Sequence, residues 1–221
     1  MAAQLLAGSP SMSSLSFDAV LCDIDGVLRL WDPDGMPGLD RAYGLPAGTL
    51  AAAAFRPERL LPAITGVVAD EEWRSGIEED LVAACGSPDR ARALVAEWET
   101  LTGQVDEEVL GLLTAARRHV PVVLVSNATT RLEADLARLG LAGAVDAVVN
   151  TARIGVAKPD ARVYRIAAGR SSVPSPRCLF IDDTLANVVA ANSAGMIGLH
   201  YQRVQQLRDV FSSLISADSM R

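Results

Sequence analysis

Two aspartates directly follow a buried apolar run near the start of the chain. Asp23 and Asp25 come after Phe17–Cys22, and Gly26, which allows a sharp turn, comes next. Residues two apart in an extended backbone project to the same side, so both carboxylates are expected where open α/β sheets bind ligands, at the carboxyl end of a strand. Neighbouring carboxylates repel, and a hard divalent cation such as Mg2+ relieves that repulsion. Taken alone, Asp-Ile-Asp-Gly is equally compatible with a polar loop.

Further polar side chains follow later apolar runs. Ser126 and Asn127 come after the second run, and a serine hydroxyl can donate a hydrogen bond to a phosphate oxygen. Lys158 lies in the loop after the third run, and Asp182 and Asp183 end the fourth. Each has an ordinary alternative, namely turn formation, a solvated lysine or a helix N-cap. Their order along the chain predicts that they share one edge of the sheet with the aspartate pair.

Lys158 is an exception in the composition of this chain. Lysine and arginine together number 20, and Lys158 is the one lysine among them. A position that needed only positive charge would be expected to hold arginine here, whereas a compact ammonium differs from a planar guanidinium. Carboxylates, a hydroxyl and one ammonium on one edge suit phosphoryl transfer, with a carboxylate as the nucleophile.

Apolar runs separated by helical patterns must position these side chains. The runs are nearly continuously apolar, which is typical of a parallel sheet covered on both faces. Helical segments that end at glycines alternate with them, so the chain predicts a doubly wound α/β fold. The predicted strands are Phe17–Cys22, Pro121–Val125, Ala147–Val149, Cys178–Ile181 and Ile197–His200, and the predicted helices are Thr129–Leu139, Asp160–Ala168 and Leu185–Ala194.

The long interval after the first strand predicts a small inserted helical domain. Asp70 is expected to cap a helix whose buried face includes Trp73, and Ser87 with a following proline is expected to start a second helix. Arg74 is expected on a solvated face, and no strand pattern occurs between residues 31 and 107. Pro- and Gly-rich linkers are expected at Asp32–Gly38 and around Gly103. We therefore predict a disordered lead-in (1–16), an α/β core (17–31 and 108–221) and a helical cap (32–107).

The composition excludes several classes of protein. The net charge of −7 gives no general attraction for nucleic acid, and no apolar run has the length of a membrane helix. Three widely spaced cysteines without a C-x-x-C motif predict neither a disulfide framework nor a zinc site. We expect a cytoplasmic monomer or homodimer with no binding to nucleic acid or membranes.

The ordered motifs resemble those of the haloacid dehalogenase (HAD) superfamily, over about residues 17 to 199. This resemblance implies a Rossmann-like core, a C1-type cap and a Mg2+-dependent phosphatase whose partner is a small phosphorylated metabolite. The segment 23–27 is similar to the first motif of the family, Ser126 to the second, Lys158 to the third, and Asp182, Asp183 and Asn187 to the fourth.

The resemblance also implies roles for these residues. Asp23 would form an aspartyl-phosphate, and Asp25 would protonate the leaving group and then activate water. Ser126, Asn127 and Lys158 would hold the phosphoryl group. The metal set would comprise Asp23, Asp25 through its backbone carbonyl, Asp183 directly, and Asp182 directly or through water.

Alternatives remain within and outside the family. True dehalogenases attack carbon and lack the second acid, and phosphonate-cleaving members need a cap lysine, which is missing from 32–107. A sugar-phosphate mutase and a catalytically idle binding or regulatory module both remain open. The sequence does not name the substrate.

Overall fold

The structure of the protein is a computed structural model that describes residues 16–216. Residues 1–15 of the predicted disordered lead-in (1–16) lie outside the described residues. Within the described range, no helix is long and apolar enough to cross a membrane.

Five parallel strands form the central sheet in the order β5-β4-β1-β6-β7. Because β1 occupies the centre, its neighbours on both sides cover it, and every residue of the strand is buried. The predicted doubly wound parallel sheet is confirmed. The strands are β1 (Ala19–Cys22), β4 (Val122–Ser126), β5 (Ala147–Asn150), β6 (Cys178–Asp182) and β7 (Ile197–His200).

Helices cover both faces of this sheet, as the nearly continuous apolar strands require. Val20 of β1 faces a core formed with α6, α7 and α11, and the next residue, Leu21, faces a second core formed with α9 and α10. Alternate residues of one strand thus pack against opposite helical layers. The core helices are α6 (Glu107–Arg117), α7 (Leu132–Arg138), α8 (Thr151–Ile154), α9 (Ala161–Ser171), α10 (Leu185–Ser193) and α11 (Gln205–Ser216).

The interval after β1 is largely helical and has its own apolar cluster. Trp73 lies in that cluster and is buried, as predicted. Ser87 accepts a hydrogen bond from the Arg90 amide, and Gly86 ends the preceding helix with a left-handed backbone. These helices are α1 (Gly35–Ala42), α2 (Thr49–Ala54), α3 (Pro57–Ile64), α4 (Asp70–Cys85) and α5 (Pro88–Glu99). The exact domain limits stay predictions.

The expectation of no strand between residues 31 and 107 was wrong. The strand β3 (Gln104–Val105) pairs antiparallel with β2 (Arg29–Leu30). This pairing brings the segment that leaves the core next to the segment that returns to it. The sequence does not reveal these strands, because two residues are too few to show an alternating apolar pattern. The helix α1 also begins at Gly35, inside the predicted linker Asp32–Gly38.

Several predicted helix ends differ from the structure. The predicted helix from Thr129 begins only at Leu132, because the preceding residues form a turn. The predicted helix from Asp160 continues past Gly169 to Ser171, and Asp160 itself is its N-cap. A single glycine in the last turn is tolerated when the buried face continues beyond it, as it does at Ser171.

Candidate active site

The strand order brings the predicted site residues together. The strands β4, β1 and β6 are adjacent and parallel, so their carboxyl ends meet at one edge. Asp23 follows β1, Ser126 ends β4 and Asp182 ends β6, and all three are buried. Around them lies a cavity of about 540 Å3, lined by Asp23, Asp25, Gly26, Leu30, Trp31, Ser126, Asn127, Lys158, Asp183, Thr184 and Asn187. We call it the phosphoryl cavity.

The ammonium of Lys158 lies between two carboxylates. Its Nζ is 2.8 Å from Asp23 Oδ1 and 2.8 Å from Asp182 Oδ2, and it donates to the Val125 carbonyl at 3.0 Å. The lysine side chain is only 1% exposed. Three donors therefore meet three acceptors, which a compact ammonium can satisfy and a planar guanidinium cannot match.

Burial and neighbouring charges shift the pKa values of Asp23 and Lys158 in opposite directions. Burial raises the pKa of the Asp23 carboxyl to about 7, although Lys158 pulls it back down. For Lys158, burial acts to lower the pKa, but the charges of Asp23 and Asp182 outweigh it and raise the pKa above its usual value. Lys158 therefore stays protonated at neutral pH, and the Asp23 carboxylate needs positive charge nearby to be fully ionised.

Two asparagines hold the charged groups in place. The Asn127 amide donates to the Lys158 carbonyl at 3.0 Å and accepts from the Lys158 amide at 2.8 Å. Asn187 Nδ2 lies 3.1 Å from each carboxylate oxygen of Asp182. Asn127 lines the phosphoryl cavity, yet its side chain is turned to the backbone of Lys158, so its role as a phosphate ligand stays a prediction.

The carboxylates at this edge fit a divalent cation. One oxygen from each of Asp23, Asp182 and Asp183 lies within 4.8 Å of the others. Both oxygens of Asp182 already accept hydrogen bonds, and the contacts that Asp23 makes with Ile24 and Lys158 use Oδ1. This leaves Asp23 Oδ2 and the exposed Asp183 carboxylate for a metal, an arrangement of oxygen ligands that Mg2+ prefers.

The Asp25 carboxylate lies apart from that group, in a clamp that the sequence did not reveal. Arg29 donates from Nε to Asp25 Oδ1 at 2.7 Å and from Nη2 to Oδ2 at 3.0 Å, and Trp31 Nε1 donates to Oδ1 at 2.7 Å. Arg29 is buried, and its guanidinium stacks 4.7 Å from the centre of the Trp31 ring. The turn after β1 and strand β2 place these side chains, so Arg29 is part of the site and not merely a residue beside it.

A second, larger cavity of about 1310 Å3 lies between the cap helices and the core. It shares Asp25, Leu30, Trp31 and Asn127 with the phosphoryl cavity. We call it the cap cavity. The expectation that Arg74 is solvated was wrong, because its side chain is 15% exposed and stacks 4.8 Å above the Trp98 ring, on the wall of this cavity.

Asp70 joins the cap to the core and does not cap α4 as predicted. Ala69 is the N-cap, and the Asp70 carboxylate accepts from Thr129 Oγ1 at 2.6 Å and from Arg74 Nε at 2.6 Å. Thr130 Oγ1 accepts from the Asp70 amide at 3.0 Å. Local sequence could not show this, because the partners lie about sixty residues apart.

Comparisons with known proteins agree on a family. The family model for haloacid dehalogenase-like hydrolases matches residues 17–195. A phosphatase of Mycobacterium tuberculosis (strain CDC 1551 / Oshkosh) is 29% identical over 217 residues, which cover 88% of this chain and 92% of that protein.

Solved structures share the fold. A HAD family enzyme of Bacteroides thetaiotaomicron, in complex with magnesium and inorganic phosphate, matches with a TM-score of 0.66 and 18% identity over 84% of this chain and 94% of that one. The 2-haloacid dehalogenase of Pseudomonas syringae pv. Tomato DC3000 matches with a TM-score of 0.61 and 20% identity over 90% and 99%. At these identities the likeness concerns the fold. The family model covers most of the chain, so the chain belongs to the haloacid dehalogenase-like hydrolases.

Proposed function

We propose that the protein is a Mg2+-dependent phosphatase that hydrolyses phosphomonoesters of small metabolites. The observation that carries this proposal is the Lys158 ammonium held between Asp23 and Asp182, with Ser126 on the same cavity and Asp25 two residues after Asp23. A carboxylate nucleophile beside donors for phosphoryl oxygens is the arrangement that phosphoryl transfer needs.

The residues support a two-step reaction. In the first step the Asp23 carboxylate attacks phosphorus and forms an aspartyl-phosphate, while the ester oxygen leaves with a proton from Asp25. To carry that proton, Asp25 gives up a hydrogen bond from Arg29, because the two bonds from Arg29 favour the ionised carboxylate. In the second step Asp25 takes a proton from water, and the resulting hydroxide attacks phosphorus, releases inorganic phosphate and restores Asp23. Ser126 is placed to donate to the phosphoryl oxygens, on which negative charge is spread. The three donors of Lys158 are engaged by Asp23, Asp182 and Val125, so Lys158 holds the nucleophile and places positive charge beside the phosphoryl group.

Asp23, Asp183 and the backbone carbonyl of Asp25 would hold Mg2+, which screens the charge between carboxylate and phosphate and orients the phosphoryl group. In this proposal Asp182 does not bind Mg2+ directly, because its two oxygens accept hydrogen bonds from Lys158 and Asn187. Asp182 instead holds the Lys158 ammonium in position beside the nucleophile Asp23.

Asp25 favours phosphatase over dehalogenase chemistry. A dehalogenase attacks carbon and displaces a halide, which needs no proton, so the family members with that activity lack this acid. Here Asp25 is present, reaches the phosphoryl cavity and is held by Arg29 and Trp31. The similar protein of Mycobacterium tuberculosis is a phosphatase, which supports the same choice.

The test is phosphate release from p-nitrophenyl phosphate and a panel of metabolite phosphomonoesters, with Mg2+ or EDTA. We expect activity that EDTA abolishes and that Asp23→Asn removes. Asp89→Asn is the matched control, because the Asp89 side chain is 92% exposed and lies on α5, outside the site. Absence of Asp23-dependent release across the panel would refute the proposal. Transfer of the phosphoryl group between hydroxyls without release would indicate a mutase instead.

A further inference from the structure

The cap cavity continues directly from the phosphoryl cavity. The two share Asp25 and Trp31, so a leaving group that receives its proton from Asp25 would lie at the entrance to the cap cavity. Its volume of about 1310 Å3 exceeds the roughly 300–1,000 Å3 of pockets for drug-sized ligands. The space beside the reacting atoms is therefore much larger than a three-carbon or sugar alcohol fills.

The wall of the cap cavity is mainly apolar and aromatic. Trp98 meets Phe55 edge-on at 6.4 Å between ring centres and Trp73 at 5.5 Å. Phe55 is 49% exposed and Trp31 is 44% exposed, so this wall presents aromatic surface that a ligand could remove from water. The apolar side chains include Leu30, Trp31, Met36, Phe55, Trp73 and Trp98.

The arginines of this wall are already paired with acids. Arg29 binds Asp25 with two hydrogen bonds, and Arg74 binds Asp70 at 2.6 Å. Arg131 binds Asp135 at 3.0 Å. A further acid, Asp32, also lines the cavity, so among the described lining residues the acids outnumber the bases by four to three. This balance leaves no surplus positive charge for a second phosphate or a carboxylate on the substrate, although Arg29 Nη1 and Arg74 Nη1 have no hydrogen-bond partner among the described residues and offer donors to a neutral polar group.

We propose that the substrate is the phosphomonoester of a large, uncharged and mainly apolar alcohol, whose body occupies the cap cavity. This inference rests on the proposed phosphatase function and narrows it. The aromatic wall gives binding energy that grows with the apolar area of the alcohol. The charge of the wall, four acids against three arginines, makes a negative charge on that alcohol unfavourable, because a buried carboxylate loses its hydration and meets no surplus of positive charge.

A series of primary alkyl phosphates from ethyl to octyl tests the size and polarity of the leaving group. The ester bond is the same throughout, so chemical reactivity stays nearly constant. We expect kcat/KM to rise with each methylene, by up to about fourfold, the transfer value of one methylene. A flat or falling series in an enzyme that hydrolyses ethyl phosphate would overturn the inference and leave the phosphatase function intact. If no ester is hydrolysed, the proposed function fails and the inference falls with it.

Charge is tested by the same chain with a terminal carboxylate. We expect 8-(phosphonooxy)octanoate to have a kcat/KM at least tenfold below that of octyl phosphate. Equal or better turnover of the carboxylate would overturn the inference and indicate an anionic leaving group. Glucose 6-phosphate, which is polar and uncharged in its sugar, should fall below octyl phosphate, and the reverse order would also overturn it.

Phe55→Ala then locates the effect in the cap cavity. Phe55 is half exposed, so its removal leaves the fold in place, and we expect the octyl-to-ethyl ratio of kcat/KM to fall about tenfold, the loss of roughly 50 Å2 of apolar contact. Leu61→Ala is the matched control. Leu61 lies on α3, is 55% exposed and does not line the cavity, so the ratio should not change. An unchanged ratio in Phe55→Ala would place the alkyl chain elsewhere and overturn the inference.

Discussion

Replacing Lys158 by methionine removes the ammonium from between two carboxylates while keeping a side chain of similar length. Asp182 is fully buried and would lose its cationic partner at 2.8 Å, and Asp23, nearly as buried, would lose its own at 2.8 Å. Breaking a buried ion pair by removing one partner costs about 3–5 kcal/mol. Asn187 and the Thr184 amide still bind Asp182, so we expect a loss of about 3 kcal/mol at pH 8.

The loss of stability in Lys158→Met should increase as the pH rises. In the native protein the pKa of Asp23 is raised by burial from its ordinary value of 3.8 to about 7, and Lys158 acts to lower it. Without the lysine this pKa rises further. A carboxyl whose folded pKa lies above its unfolded pKa contributes stability that is present at low pH and is lost as the pH rises through the folded pKa. The variant should therefore be closest to the native protein near pH 5 and furthest from it at pH 8.

Urea unfolding followed by circular dichroism, at pH 5 and pH 8 with EDTA, measures both effects. A loss below about 1 kcal/mol at pH 8, or a loss that does not shrink at pH 5, would refute the reasoning about Lys158. Lys158→Arg separates charge from shape. It keeps the positive charge, yet we expect it to stay destabilised because a five-donor planar group does not fit three acceptors in a site that is 1% exposed.

Four other substitutions probe the same edge of the sheet. Asp183→Asn should weaken Mg2+ activation at least tenfold, whereas Asp182→Asn should lower kcat with little change in the Mg2+ requirement, as a Mg2+ titration of the rate shows. Gly26→Ala should also weaken Mg2+ activation, because the φ of 80° disfavours a side chain and the added Cβ would lie 2.1 Å from Asp183 Oδ2. Trp31→Phe removes one donor from Asp25 and should lower kcat by about tenfold without lowering the melting temperature, since Trp31 is 44% exposed.

A different result would contradict each of these predictions. A Mg2+ requirement that shifts equally in both aspartate variants would mean that Asp182 and Asp183 share the metal. Normal Mg2+ activation in Gly26→Ala would show that Asp183 can move without consequence. An unchanged kcat in Trp31→Phe would mean that Arg29 alone orients Asp25.

The sheet and much of the site could be predicted because their signals are local. A fully buried strand must be apolar at nearly every position, so β1, β4 and β6 stand out in the sequence, and the polar residues that end them are visible at once. In a parallel sheet those ends must share one edge, so the proximity of Asp23, Ser126 and Asp182 follows once the strands are adjacent.

The clamp on Asp25 and the contacts of the cap could not be predicted in the same way. Arg29 is an arginine in a chain rich in arginine, and its type alone does not distinguish a buried partner of Asp25 from a solvated side chain. Asp70 has the residue type of a helix cap, but Thr129 competes for its carboxylate across the interface between cap and core. Tertiary contacts determine where the Arg29 and Asp70 side chains lie, and such contacts leave no periodic pattern in the sequence.

Adjacent acids take different roles at the end of β6 because the strand ends between them. Asp182 is the last residue of the strand and is directed into the core, where Lys158 and Asn187 bind it, whereas Asp183 lies beyond the strand and is exposed. When Asp23 is ionised together with Asp182 and Asp183, the three carboxylates and one ammonium leave two negative charges at this edge. A phosphomonoester dianion would add two more, and Lys158 is already shared between two carboxylates. One divalent cation would offset the first two charges, so the charge of the residues proposed to hold the phosphoryl group supports the proposal of Mg2+ beside it.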